Sequence, residues 1–245
     1  MKKTIGILFS ILCMSMNAYA SSNSGSYGML YKQGQEIFMN TPKYASRYVG
    51  NNLSCASCHL DGGNQKNAMP MWGAYPMYPK YIAKNNSVVT FEQRLQNCFI
   101  FSENGNAPSL NSQTILALTV YAKELSKNQK IGQYPKGAGL VPLGEHSRDA
   151  DMIAGANIYK QNCAMCHKAN GSGNIQNKIP ALWGLNSYNK GAGMANYQIA
   201  ARFIYANMPP VGQKLTTQEA LDVAKYIDMQ FRKPDPRKGV LGWIK

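Results

Sequence analysis

Apolar positions fall at helical spacing near the end of each half of the chain. Thr114 to Leu125 is one such segment, and Thr216 to Phe231 is the other. The second opens on a capping box, Thr216-x-x-Glu219, and puts Ala220, Val223, Ala224 and Ile227 on one helix face. Tyr197 to Ala206 also reads as a helix, and Thr90 with Gln93 forms a further capping box that starts a helix at about Phe91. No sustained period-two alternation occurs, so strands are not expected. The pattern predicts an all-α protein.

The two halves can be laid over one another. Gly34-Gln35-Glu36-Ile37-Phe38 precedes Cys55-Ala56-Ser57-Cys58-His59, as Gly155-Ala156-Asn157-Ile158-Tyr159 precedes Cys163-Ala164-Met165-Cys166-His167. Met69-Pro70-Met71-Trp72-Gly73 follows the first run, and Ile179-Pro180-Ala181-Leu182-Trp183-Gly184 follows the second. A C-x-x-C-H run reads as a haem c attachment site: the cysteines form thioethers to the macrocycle and the histidine reaches the iron. Two runs in matching surroundings predict two covalently attached haem c groups, one on Cys55, Cys58 and His59, the other on Cys163, Cys166 and His167. The expected architecture is two tandem cytochrome c-like domains, 27–131 and 149–234, each wrapped around its haem, which supplies buried surface that domains this small otherwise lack. Gly132 to Arg148, rich in glycine and proline, reads as a linker, and 235–245 as an extended tail. Trp72 and Trp183 hold equivalent places and are expected to pack in the core or at the haem edge. Zinc ribbons space their cysteine pairs more closely, and thioredoxin-like motifs need a βαβ context that is missing.

Length and charge narrow the class. The 245 residues allow one large or two ordinary domains. Lys2 and Lys3 precede an apolar run from Ile5 to Cys13, and Ala18-Tyr19-Ala20 fits a cleavage site, which predicts a signal peptide over 1–20 cut after Ala20. That run is too short to span a bilayer and no later stretch could, so no membrane span is expected. The mature protein is expected in a bacterial periplasm. The formal charge is +14, with Lys2 and Lys3 contributing two units of it. Small anions or an acidic redox partner suit that balance; nucleic acid does not suit an exported haem protein.

Counting ligands sharpens the chemistry. Of six cysteines, Cys13 leaves with the signal peptide, four serve the haems, and Cys98 remains alone in an oxidising compartment. Of three histidines, two are proximal ligands and His146 reads as an exposed linker residue. At least one sixth iron ligand must therefore be methionine, cysteine, lysine or water. In the second half the candidate is Met208, in Asn207-Met208-Pro209-Pro210; the plain alternative is core filling. In the first half the matching region lacks methionine. There Arg94, Cys98 and Ser102 recur every four residues and share a helix face if the helix runs that far. A guanidinium one turn from Cys98 favours thiolate. The alternative is a buried small apolar residue.

These residues resemble the di-haem thiosulfate dehydrogenases and tetrathionate reductases over nearly the whole mature chain. The resemblance is carried by Arg94-x-x-x-Cys98-Phe99 with Ser102-x-Asn104-Gly105, by Pro180-Ala-Leu-Trp-Gly184, by Ser187-Tyr-Asn-x-Gly-Ala-Gly-Met194, and by Asn207-Met208-Pro209. It implies a catalytic first haem ligated by His59 and Cys98, with Cys98 also the sulfur-reactive group. Arg94 and Ser102 would line the anion pocket and Lys84 would be its other basic contact. The second haem, ligated by His167 and Met208, would exchange electrons with a small c-type cytochrome or similar carrier. The implied reaction joins two thiosulfate into tetrathionate, or runs in reverse. Some members carry a lysine just before the distal methionine; Asn207 stands there, so no lysine switch is expected. Rival readings are a non-catalytic electron-transfer cytochrome, a thiosulfate-conjugating cytochrome acting on a carrier protein, and a di-haem peroxidase, whose histidine-rich ligand set is missing.

Overall fold

The computed structural model describes residues 25–83 and 86–238. The expected signal peptide with Cys13, and Lys84, lie outside the described residues. The first half holds helix α1 over 25–39, the strands β1 (Lys80–Ile82) and β2 (Ser87–Val89), and the helices α2 (Phe91–Phe101) and α3 (Gln113–Leu125). The second holds α4 (Met152–Asn162), α5 (Tyr197–Asn207) and α6 (Thr217–Met229). Both expected capping boxes form, at Thr90–Gln93 and Thr216–Glu219, and they set the starts of α2 and α6.

Each half is organised by a glycine where two helices cross. A Cβ on Gly34 of α1 would lie 2.1 Å from the Ala117 carbonyl oxygen of α3. A Cβ on Gly155 of α4 would lie 2.0 Å from the Asp222 carbonyl oxygen of α6. These are equivalent positions of the repeat, so the duplication conserves one backbone-to-backbone contact. Around the first crossing pack Ile37, Phe38, Phe99, Ile115, Leu118 and Tyr121; around the second pack Tyr159, Ile204, Leu221, Val223, Ala224 and Ile227. Asp222 reinforces the second crossing: its carboxylate accepts from Arg148 at 2.7 and 3.0 Å, from the Asp151 N–H at 2.8 Å and from Gln218 at 3.0 Å.

Three parts differ from the sequence reading. A small antiparallel hairpin is present, with Lys80 opposite Val89. Its strands have three residues each and are largely exposed, too short and too little buried to show alternation. The segment 132–148 is bound to both halves and does not hang as a loose linker. The Asn67 N–H donates to the Gly137 carbonyl, Ala138 is buried against Gly73, and Arg202 of α5 donates to the carbonyls of Leu140 and Val141, both at 2.7 Å. Residues 235–238 likewise do not stand clear as a tail: Asp235 is buried and the Arg237 guanidinium lies 4.6 Å over the Phe101 ring. The two tryptophans also diverge. Trp183 packs between Tyr159 and Tyr226, whereas Trp72 donates from its indole N–H to the Asn64 carbonyl at 2.9 Å.

The halves meet through side-chain amides aimed at carbonyls. Asn51 bridges Ser102 and Ser187, and Asn189 engages both Ile100 and Phe101. Gln65 donates to Asn207 at 2.7 Å. Leu53, Phe101, Tyr188 and Ala192 form an apolar plug between these bonds. The crossing geometry makes a measurable claim. Gly155→Val is expected to destabilise the haem-loaded protein by about 3 kcal/mol through forced helix separation. Gly28→Ala, on α1 with nothing within 4 Å of the added methyl, is expected to stabilise it by about 0.5–1 kcal/mol. Urea-unfolding midpoints of the two variants test the contrast, and similar effects would exclude the backbone contact as its cause.

Candidate functional site

A cavity of about 240 Å³ lies in the first half. Cys55, Cys58 and His59 form part of its wall, and α2 brings Arg94 and Cys98 to the same space. Helix α2 ends at Phe101, but Ser102 keeps helical backbone angles as the C-cap and also lines the cavity. Most of the remaining lining is apolar, from Phe38, Met71, Phe91, Phe99 and Leu118. The structure thus brings together Cys55, Cys58, His59, Arg94, Cys98 and Ser102; Lys84 is not described. Lys80 of β1 does line the cavity.

The histidines are oriented by the backbone. His59 Nδ1 lies 2.6 Å from the Met69 carbonyl oxygen. A carbonyl can only accept, so Nδ1 carries the proton and Nε2 is the unprotonated nitrogen. Burial, aided by the charge of Arg94 and opposed by the Met69 bond, lowers the His59 pKa from the usual 6.5 to about 4. His167 repeats the device in the second half, with Nδ1 3.0 Å from the Pro180 carbonyl and a pKa lowered by burial.

The thiols suit covalent attachment. Burial pushes the Cys55 thiol well up and the Cys58 thiol up to about 12. Cys55, Cys58, Cys98, Cys163 and Cys166 are all free thiols. Among the described residues no cluster of three or more His, Cys, Asp or Glu groups could hold a bare metal ion. One oriented imidazole beside two neutral thiols in an apolar cavity fits a haem c, which brings its own four nitrogen ligands.

The far side of the cavity is cationic. The Cys98 sulfur raises the pKa of the half-buried Arg94 guanidinium, and the Tyr78 phenol adds to the effect. Arg94 therefore stays charged beside Cys98. Glu103, 2 % exposed, also lines the cavity, and burial raises its carboxyl well above the usual range. Tyr134 of the connecting segment and Tyr188, Ala192 and Met194 of the second half complete the enclosure. Sequence reasoning missed Tyr78, Lys80, Glu103, Tyr134 and Tyr188. Only Tyr188 carried a signal, since it stands within the Ser187–Met194 motif.

The second set is more open. Cys163, Trp183, Met194 and Met208 pack against the core built on Tyr159, whereas Cys166 is exposed and Met165 is 89 % exposed. Met208 follows α5 directly, in extended backbone. His146 is exposed in the connecting segment. The lowered histidine pKa values set a pH dependence. In the unfolded chain His59 takes a proton near pH 6.5, and in the folded chain only near 4. The unfolded state binds more protons in that window, so stability is full above about pH 6.5 and declines as pH falls toward 4, with His167 acting in the same direction. The urea midpoint of the haem-free chain is expected to be lower at pH 5 than at pH 7.5; equal midpoints there would exclude neutral, shielded imidazoles.

Comparison with known proteins identifies the family. Residues 39–131 match the model described as SoxA/TsdA, cytochrome c domain, and residues 150–227 match that of cytochrome c oxidase, cbb3-type, subunit III. The chain is 47 % identical over 215 residues to a thiosulfate dehydrogenase of Thiomonas intermedia, covering 86 % of this chain and 68 % of that one. It is 41 % identical over 218 residues to a thiosulfate dehydrogenase of Stutzerimonas stutzeri, covering 87 % and 71 %. A solved structure of the thiosulfate dehydrogenase TsdBA from Marichromatium purpuratum, in its as-isolated form, matches with a TM-score of 0.84 at 38 % identity. That match covers 87 % of this chain and 48 % of the other, so this chain spans about half the length of that protein. With two cytochrome c domains in tandem and these relatives over most of its length, the chain belongs to the thiosulfate dehydrogenase family of c-type cytochrome oxidoreductases.

Proposed function

We propose that this chain, carrying two haem c groups, oxidises two thiosulfate to tetrathionate and also runs the reverse, with Cys98 as the sulfur-reactive group and Arg94 as its anion contact. The observation that carries the reading is that Cys98 and a half-buried, charged Arg94 share one largely apolar cavity with Cys55, Cys58 and His59. His59 with Cys98, and His167 with Met208, are the residues that would hold the two irons. When bound, the haems supply one-electron centres that take up or return two electrons per turnover.

The sulfur chemistry balances on the protein's own residues. The Cys98 thiolate and one thiosulfate dianion lose two electrons and form a Cys98–S–S–SO₃⁻ adduct. The terminal sulfur of a second thiosulfate then attacks the outer sulfur of that disulfide bond. Tetrathionate leaves and Cys98 is again a thiolate, as in ordinary thiol–disulfide exchange. Two dianions repel, so the site needs fixed positive charge. Arg94 supplies a forked guanidinium suited to oxyanions, and Lys80 adds a point charge. Ser102 contributes a hydroxyl. Glu103, held neutral by burial, does not oppose the incoming anion. Lys80 is a basic residue on the cavity wall beside Arg94; Lys84 lies outside the described residues.

The open second set suits relay to an outside carrier, a small c-type cytochrome or similar protein in the periplasm. No helix among the described residues is long and apolar enough to cross a membrane. Purified haem-loaded protein should turn over with thiosulfate plus an oxidant and with tetrathionate plus a reductant. Cys98→Gly is expected to cut both activities roughly a thousandfold or more while both haems stay attached. Arg94→Gln is expected to raise KM for thiosulfate about ten- to a hundredfold, the loss of a charge-assisted contact of about 1.5–3 kcal/mol. Retained turnover in the Cys98 variant removes the proposed role. Activity only with a protein acceptor points instead to a thiosulfate-conjugating enzyme, a reading that the shared SoxA/TsdA domain keeps in view.

A further inference from the structure

Arg232 is a buried cation with unfinished bonding. It is 2 % exposed. Its Nη1 donates to the Leu182 carbonyl and its Nη2 to the Ile227 carbonyl, each at 3.0 Å, and its Nε is buried without a partner. Among the described residues no carboxylate forms an ion pair with it: the pairs present are Lys127–Glu124, Arg148–Asp222 and Arg237–Asp235. Asp228 lies near enough to Tyr188 to act on its hydroxyl, but it does not ion-pair with Arg232. A buried guanidinium met only by neutral groups, two carbonyls and the Tyr188 hydroxyl, is costly, and an orphan N–H in such a group calls for a missing acceptor.

The surroundings say which acceptor. The Arg232 guanidinium carbon lies 4.2 Å from the centroid of the Tyr188 ring, and Tyr188 is part of the first cavity's wall with Cys58. On its other sides Arg232 touches Leu182 and Ile227, which belong to the core of the second half together with Cys163 and Met208. Arg232 therefore sits between the two sets of haem residues. A haem c brings two carboxylates of its own. In a chain with 26 Lys and Arg against 12 Asp and Glu, these are the anions available to a cation in this place. We infer that Arg232, through its Nε–H, is the fixed partner of a haem propionate at the junction of the two domains. It is thereby a positioning residue that holds that haem's potential up. A permanent positive charge favours the state with one electron more, so its removal lowers the potential.

The inference rests on the two-haem reading, and the test separates the two. Haem content per chain is measured first, then the midpoint potential of each haem and its propionate-bending band by resonance Raman spectroscopy, in the parent, Arg232→Gln and Arg232→Lys. The expected result is a downward shift of one haem's potential in Arg232→Gln with the other unmoved, and a moved propionate band for that same haem. Arg232→Lys keeps the charge but loses the fork, so its potential should return most of the way while the band remains displaced. If Arg232→Gln does not fold, the lysine variant decides by its band alone. Unmoved potentials and bands in a two-haem protein overturn the role of Arg232 and leave the proposed function intact. Equal falls at both haems in both variants overturn it too, since loosened packing would act on both. Fewer than two haems in the parent overturns both.

Discussion

The register of α2 decides which side chains meet in the first cavity. An α-helix turns about 100° per residue, so a one-residue slip would swing Arg94 and Cys98 off the cavity wall together. Both ends of the helix are fixed against that slip. At the start, Thr90 accepts from the Gln93 N–H and the Gln93 side chain accepts from the Thr90 N–H. Midway, Gln96 donates to the Pro108 carbonyl at 2.7 Å. At the end, Asn189 of the other domain holds the carbonyls of Ile100 and Phe101 at 2.9 and 3.0 Å. The site is thus positioned by a local capping signal and a long-range interdomain one, and neither acts on Cys98 directly.

That second tie makes the two C-x-x-C-H sites unequal. The first cavity borrows Tyr188, Ala192 and Met194 from the other domain and is closed on a third side by the connecting segment. The second set keeps Cys166 at the surface. Duplication supplied two similar frames, each with its crossing glycine and its histidine steered by a carbonyl. Packing of one copy on the other then shielded one frame from water and left the other accessible. Charge interactions are strong in a low-dielectric cavity, so a cation beside a sulfur acts most strongly in the closed frame. Relay to an outside protein needs only the open one.

Much of this was legible in the sequence because its signals are local. The C-x-x-C-H runs, the two capping boxes and the Gly34/Gly155 equivalence each lie within a few residues, and each has a physical requirement behind it. Cys98 was legible by elimination, as the one cysteine left over once the two C-x-x-C-H runs and the expected signal peptide are set aside. Lys80 and Glu103 were not. Lys80 reaches the cavity from a hairpin whose three-residue strands are too short to show a period. Glu103 looks like an ordinary acid after a helix, and its burial is set by residues distant in sequence. The segment 132–148 reads as a linker from its glycines and prolines, yet its carbonyls are docked by Asn67 and Arg202, a pairing no spacing rule contains.

The placement of acids shows how a strongly basic chain tolerates burying charge. Asp222 and Asp235 are buried with an arginine on each, and Asp222 accepts further from Asp151 and Gln218. Both stand at seams: Asp222 where the connecting segment meets α6, Asp235 where the C-terminal residues meet Phe101. Glu103 differs. Its Oε2 is buried without a hydrogen-bond partner, and burial holds its proton on. Were it ionised, its field would oppose an anion approaching Arg94 and a thiolate at Cys98. Asp222, at a seam, is kept charged by paired donors, while Glu103 on the cavity wall is kept neutral by the absence of one. The positive potential of the cavity therefore follows as much from a suppressed negative charge as from Arg94 itself.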